Sequence, residues 1–222
     1  MAKISDNLKQ IQDNIEQAKI RANVSHNVTI IAVTKQVTVE RTLEAIETGI
    51  YHLGENRPEG ILAKKEEIKD KAIWHFIGSL QTRKVKQVIN DIDYLHSLDR
   101  MSLAEEIEKR ADRVVNCFVQ ANVSGEESKH GLTKDEVIPF IQSLTKFNKI
   151  RIVGLMTMAP NTEDENVIRK VFTDLKQLQQ EVVNLKLPYA PCTELSMGMS
   201  NDYEIAVEEG ATFVRIGTAL VG

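Results

Sequence analysis

Cysteine is nearly missing from this 222-residue sequence: Cys117 and Cys192 are the two that occur, far apart and outside any CxxC spacing. That excludes a disulfide scaffold and a cysteine-based metal site, and both are read as structural thiols. No apolar run reaches the roughly 18 to 20 residues that cross a bilayer, and the N-terminus MAKISDNLKQIQDNIEQ lacks the apolar core of a secretory signal. No membrane association is expected, and the expected compartment is cytoplasmic. An excess of positive charge is missing too, since 28 Lys plus Arg stand against 32 Asp plus Glu, a formal net charge of −4. Such a balance offers no basic stripe for nucleic acid. With five prolines, eleven glycines and no tract rich in either, no linker divides the chain. Residues 1–222 are read as one domain.

What is there is a globular composition, 42% apolar and 27% charged, with a repeating alternation of strand and helix patterns. Leu8, Ile11, Ile15 and Ala18 lie at helical spacing in a first segment over about 5–22. Then come β-branched runs: VTIIAVT at 28–34, YHLG at 51–54, WHFIG at 74–78, YLHSL at 94–98, a run over 115–123, one over 150–158, TELSMG at 193–198 and ATFVRIG at 211–217. Helical patterns separate nearly all of them. Eight such units in a length a little below the typical ~250 residues predict a single (β/α)8 TIM barrel with an extra N-terminal helix. A doubly wound open sheet is the alternative.

In such a barrel the chemistry sits where the strands end. The first strand closes on Thr34 and Lys35, the second on Glu55 and Asn56, the seventh on Ser196 through Ser200, the last on Arg215, Gly217 and Thr218. Side chains alternate along a strand, so with Ile31 and Val33 facing the barrel axis Lys35 faces it as well. Partial desolvation there disfavours the ammonium and favours the neutral amine that attacks an aldehyde. A lysine reaching out to solvent from a strand end is the other reading of that position. RIGT at 215–218 and the Gly-containing turn in SMGMSND at 196–202 follow the last two strands, where phosphate sites of (β/α)8 proteins commonly form.

Seven ordered motifs carry a family resemblance: IAVTK ending at Lys35, LGEN at 53–56, WHFIGSLQTRK at 74–84, QANVSGEESKHG at 120–131, GLMTMAP at 154–160, LSMGMSND at 195–202 and VRIGTALVG at 214–222. Together they resemble the YggS/PROSC family of pyridoxal 5′-phosphate (PLP) homeostasis proteins, whose fold is similar to the barrel domain of alanine racemase, fold type III of the PLP proteins. The resemblance implies that Lys35 holds the cofactor as an internal aldimine, that Ser200, Gly217 and Thr218 bind its phosphate, that Arg215 lies near the pyridine nitrogen, and that Asn56 and Met199 line the pocket. An arginine beside that nitrogen disfavours the pyridinium form and weakens the ring as an electron sink. The implied function is a carrier or regulator of intracellular PLP without robust catalysis, with PLP-dependent apoenzymes as recipients and a monomeric state.

The alternative is an amino-acid racemase using the same lysine; a barrel enzyme acting on a phosphorylated metabolite is a third reading. Racemases of this fold take a tyrosine acid/base from a second domain, and after Arg215 seven residues remain here. Two departures from the family pattern stand out: Arg57 and Pro58 follow GEN, where many relatives have an aromatic residue, and the short tail common beyond Gly222 is not in this sequence. Lys129 in SGEESKHG is read either as part of a mobile lid or as plain surface loop. His75 is expected to be a packed residue rather than a metal ligand.

Overall fold

A computed structural model of the protein describes residues 3–125 and 130–222, so Lys129 lies outside the described residues. The chain opens with α1 (Ile4–Ala22), which buries Ile4, Leu8, Ile11, Ile15 and Ala18 as one stripe. Strands and helices then alternate to the end: β1 (Thr29–Val33), α2 (Val39–Glu47), β2 (His52–Glu55), α3 (Pro58–Ile68), β3 (Ile73–Phe76), α4 (Val85–Val88), β4 (Tyr94–Leu98), α5 (Met101–Arg110), β5 (Val115–Gln120), α6 (Lys134–Ser143), β6 (Ile150–Met156), α7 (Glu165–Asn184), β7 (Glu194–Met199), α8 (Tyr203–Glu208), β8 (Phe213–Ile216) and α9 (Thr218–Val221). Local chemistry sets the helix starts. Thr38 caps α2 by accepting from the Arg41 N–H, Pro58 takes the first turn of α3, and Thr133 with Glu136 forms a capping box on α6.

The eight strands are parallel and close in sequence order, with β8 pairing back onto β1. The predicted TIM barrel is therefore the observed fold. Period-two alternation divides each strand between two layers. Ala32 packs outward into the large core between strands and helices, whereas Ile31 points inward to Phe118, Met156 and Phe213. That interior apolar cluster is small. The rest of the inner face carries His75, His96, Gln120, Ser196 and Arg215, all buried, where a barrel of this kind normally stacks aliphatic layers.

Three boundaries differ from the sequence reading. β5 stops at Gln120 rather than reaching Val123, because the backbone beyond it turns to bond Leu132 of the returning chain. The helix expected over 82–90 is a 3₁₀ turn at Thr82–Lys84 followed by the short α4, closed by a turn from Asp91 N–H to Val88 O. The last residues form α9, which the short TALV stretch did not announce.

α1 packs on α8 and α9. Asn7 donates to the Leu220 carbonyl at 2.9 Å, Asn14 to the Tyr203 hydroxyl at 2.8 Å, and Arg21 pairs with Glu204 and Glu208. The extra helix thus braces the elements that follow β7 and β8. Both cysteines are free and buried, and burial pushes the Cys192 thiol up to about 12 and Cys117 higher still, which makes them inert, as expected of structural thiols.

Candidate functional site

A cleft of about 1090 Å³ opens where the strands end. Lys35, Asn56, Met199, Ser200, Arg215, Gly217 and Thr218 all line it, although they come from four separate stretches of sequence. Beside them the β6–α7 connection contributes Met158, Asn161 and Glu163.

Lys35 sits in the turn just after β1. Val33 and Lys35 both border the cleft while Thr34 between them is buried, so the alternation that starts at Ile31 carries through the strand end. The expected partial desolvation is not found, however. Lys35 is exposed, in the turn that follows the end of β1 at Val33.

A buried anchor fixes this turn from below. Thr34 Oγ1 donates to Glu55 Oε1 at 2.7 Å, and Lys64 from α3 donates both to that carboxylate and to the Thr34 carbonyl at 2.5 Å. The Glu55–Lys64 ion pair has next to no exposed surface. Gly60 on α3 leaves this carboxylate its room, since a Cβ there would lie 2.5 Å from Glu55 Oε2 and the carboxylate would have to shift. Lys64 is not a candidate on sequence, and Glu55 is read there as a residue closing β2 without a partner assigned to it. The signal was the acidic residue closing the short strand β2, a charge that has to find a partner once buried.

On the opposite side of the cleft, β7 ends in a turn that glycine permits. Gly198 has φ +93°, and a Cβ on it would meet the Ala206 methyl of α8 at 2.6 Å. The turn brings Met199 and Ser200 to the cleft and is held by Asp202, which accepts from the Met199 N–H at 2.5 Å. Burial raises the Asp202 carboxyl against the opposing effects of that hydrogen bond and of Arg215. Next to it, the Gly217 N–H donates to Ser200 Oγ at 3.3 Å. Packing does not demand glycine at 217: an added Cβ would touch Val33 alone, at an ordinary 3.6 Å. What a side chain would take is room in the cleft. Ser200, Thr218 and the bare Gly217 backbone therefore form a cradle of hydroxyl and N–H donors suited to a phosphate.

Arg215 is buried in the floor. Its Nη1 donates to Ser196 Oγ at 2.6 Å and its Nη2 to the Thr157 carbonyl at 3.0 Å. Burial lowers the guanidinium to about 10 while Asp202 favours its charge, so it remains a cation at neutral pH. Ser196 and Thr157, which fix its direction, are strand-end residues that the sequence places at the rim without linking either to Arg215, since a small polar residue inside a strand carries no spacing signature for its partner. Among the described residues none of the four tyrosines lines the cleft, and no cluster of His, Cys, Asp and Glu could hold a metal. His75 is fully buried, as expected of a packed residue.

Comparison with known proteins gives this geometry a context. A family model of the alanine racemase N-terminal domain matches residues 7–222. The Pyridoxal phosphate homeostasis protein of Aquifex aeolicus (strain VF5) is 38% identical over 225 residues, spanning 98% of this chain and 96% of the relative. Among solved structures, an unknown protein from Bifidobacterium adolescentis superposes with a TM-score of 0.92 at 33% identity, over 98% of this chain and 94% of its own. PipY of Synechococcus elongatus PCC7942, solved with PLP bound, gives a TM-score of 0.84 at 30% identity, over 99% of this chain and 100% of its own.

Proposed function

The chain belongs to the family of pyridoxal phosphate homeostasis proteins, and from that membership we propose that it binds PLP in the cleft and holds it for intracellular homeostasis rather than for turnover. The observation that carries the reading is the gathering, in one cleft, of a primary amine, a cradle of neutral donors and a buried cation. When bound, PLP supplies an aldehyde that a primary amine captures with loss of water. Lys35 provides that amine. Ser200, Thr218 and the Gly217 N–H take the phosphate, Arg215 faces the ring nitrogen, and Asn56 and Met199 close the sides. These residues fit the group in charge and in donor character.

A guanidinium facing the ring nitrogen withholds a proton from it, which weakens the electron sink that carbanion chemistry needs. Racemisation also needs an acid/base on each face of the substrate, and no tyrosine reaches this cleft. The proposal therefore includes a non-catalytic role, with PLP-dependent apoenzymes as recipients, a cytoplasmic location and a monomeric chain acting as one domain over residues 1–222. Support for the monomer is that the exposed apolar side chains Ile20, Leu62 and Val167 lie on separate helices, α1, α3 and α7. Among the described residues no helix is long and apolar enough to cross a membrane. The test is exchange of solvent deuterium into the α position of alanine. The PLP-loaded protein is expected to match free PLP within about tenfold, or ~1.4 kcal/mol of barrier. Exchange orders of magnitude faster, lost in Lys35→Ala, would make it a racemase.

A further inference from the structure

Behind Arg215, on the side away from the cleft, a line of imidazoles crosses the barrel interior. Ser196 Oγ, which accepts from Arg215, lies 2.8 Å from His96 Nδ1. His96 Nε2 is 2.8 Å from His75 Nδ1, and His75 Nε2 is 2.9 Å from His52 Nδ1. The rings stand on β4, β3 and β2 in turn, one inward position per strand. His75 and His96 are fully buried, against Tyr94 and Phe118 respectively, whereas His52 is half-buried. His52 also lines a second cavity, of about 480 Å³, bounded by α1 and the starts of β1 and β2 at the opposite end of the barrel.

The direction of this chain follows from the one member that has no choice. A guanidinium only donates, so Ser196 Oγ accepts from it and turns its own hydrogen toward the nearest acceptor, His96 Nδ1. A neutral His96 then carries its proton on Nε2 and donates to His75 Nδ1, and His75 repeats the pattern to His52. Burial favours the neutral form of each ring, most strongly at His75 and His96, and the charge of Arg215 adds to this at His96. Every nitrogen between the rings is thereby satisfied once. A network completed in this way is rigid, whereas an isolated serine hydroxyl would be free to rotate away from Arg215.

We propose that His52, His75 and His96 are positioning residues: a one-way chain of hydrogen bonds, oriented by Arg215, that locks the Ser196 hydroxyl and so holds the guanidinium in its aim at the cleft. The proposal rests on the reading of Arg215 as the residue facing the ring nitrogen of PLP. Its first test does not use the cofactor. Side-chain nitrogen NMR of the histidine-labelled, cofactor-free protein near neutral pH is expected to show all three rings neutral with the proton on Nε2. A proton on Nδ1 of His96 would overturn the proposal.

The second test joins the chain to the cleft. Ser196→Ala removes the link and is expected to leave His96 in mixed tautomers and to weaken PLP binding about tenfold, the scale of losing one hydrogen bond to a charged group. Ser196→Thr restores the hydroxyl and should bring the affinity back. His96→Phe keeps the ring on Phe118 but has no acceptor, and is expected to shift the pH profile of the bound cofactor's absorption. Unchanged affinity and an unchanged His96 tautomer in Ser196→Ala would overturn the proposal. Failure of the unaltered protein to bind PLP would instead remove the reading of the cleft, while the tautomers still decide the chain.

Discussion

Single side chains in this cleft divide into those that carry charge and those that donate without it, and their substitutions should separate accordingly. Ser200→Ala and Thr218→Val each remove a hydroxyl from the proposed phosphate cradle while leaving the barrel core alone. Equilibrium dialysis is expected to show PLP binding weakened by about 1.5–3 kcal/mol in either variant, the worth of a hydrogen bond to a charged group. Affinity equal to that of the unaltered protein in both would place the phosphate elsewhere. The histidines make a prediction in pH. Burial lowers His52 and lowers His75 and His96 further, so the unfolded chain takes up protons near the ordinary value of about 6.5 that the folded chain refuses. Their contribution to stability is thus fully present above about pH 6.5 and is lost as the pH falls below it. Burial lowers His26 in the same direction, and Asp202, raised by burial, pulls the other way, one group against four. Melting temperatures measured from pH 8 to 5 should be level above about 7 and decline below 6.5, less steeply in His96→Phe. A level curve down to pH 5 would contradict the buried neutral chain.

Among the elements, the join between β1, β2 and α3 sets where Lys35 stands. It is held by a carboxylate and an ammonium that have left water, and such a pair costs most when its geometry is disturbed. Gly60→Ala tests this with a favourable bias against it, since alanine in a helix is ordinarily better than glycine by about 1 kcal/mol. Here the new methyl would displace Glu55, so a loss of about 1–3 kcal/mol is expected in a denaturant titration. A gain would show that the carboxylate moves without cost. The same join shows what sequence could and could not supply. Period-two runs placed all eight strands, and the residue after each run pointed to the cleft, because alternation is a local property. The Glu55–Lys64 pair and the His52–His75–His96 chain are contacts between neighbouring strands and helices, and the register that creates them is fixed only when the barrel closes. One histidine on an inward position of each of three successive strands was the sole trace. Between the two readings of Lys35 the strand pattern could not choose, and the turn after β1 decides for exposure.

For the molecule as a whole, closure of eight strands brings four distant stretches of sequence to one rim, and α1 braces the elements that follow the two carrying the proposed phosphate cradle. The far rim is joined to this one through the interior by Arg215, Ser196 and the three imidazoles. The central claim, that this arrangement exists to hold PLP on Lys35, is tested most directly by reducing the PLP-loaded protein with borohydride and mapping the adduct by peptide mass spectrometry, beside the visible spectrum of Lys35→Ala. The account predicts a single adduct on Lys35 and a variant that folds but has lost the visible band of the bound cofactor. An adduct on another lysine, with the band retained in Lys35→Ala, would contradict it.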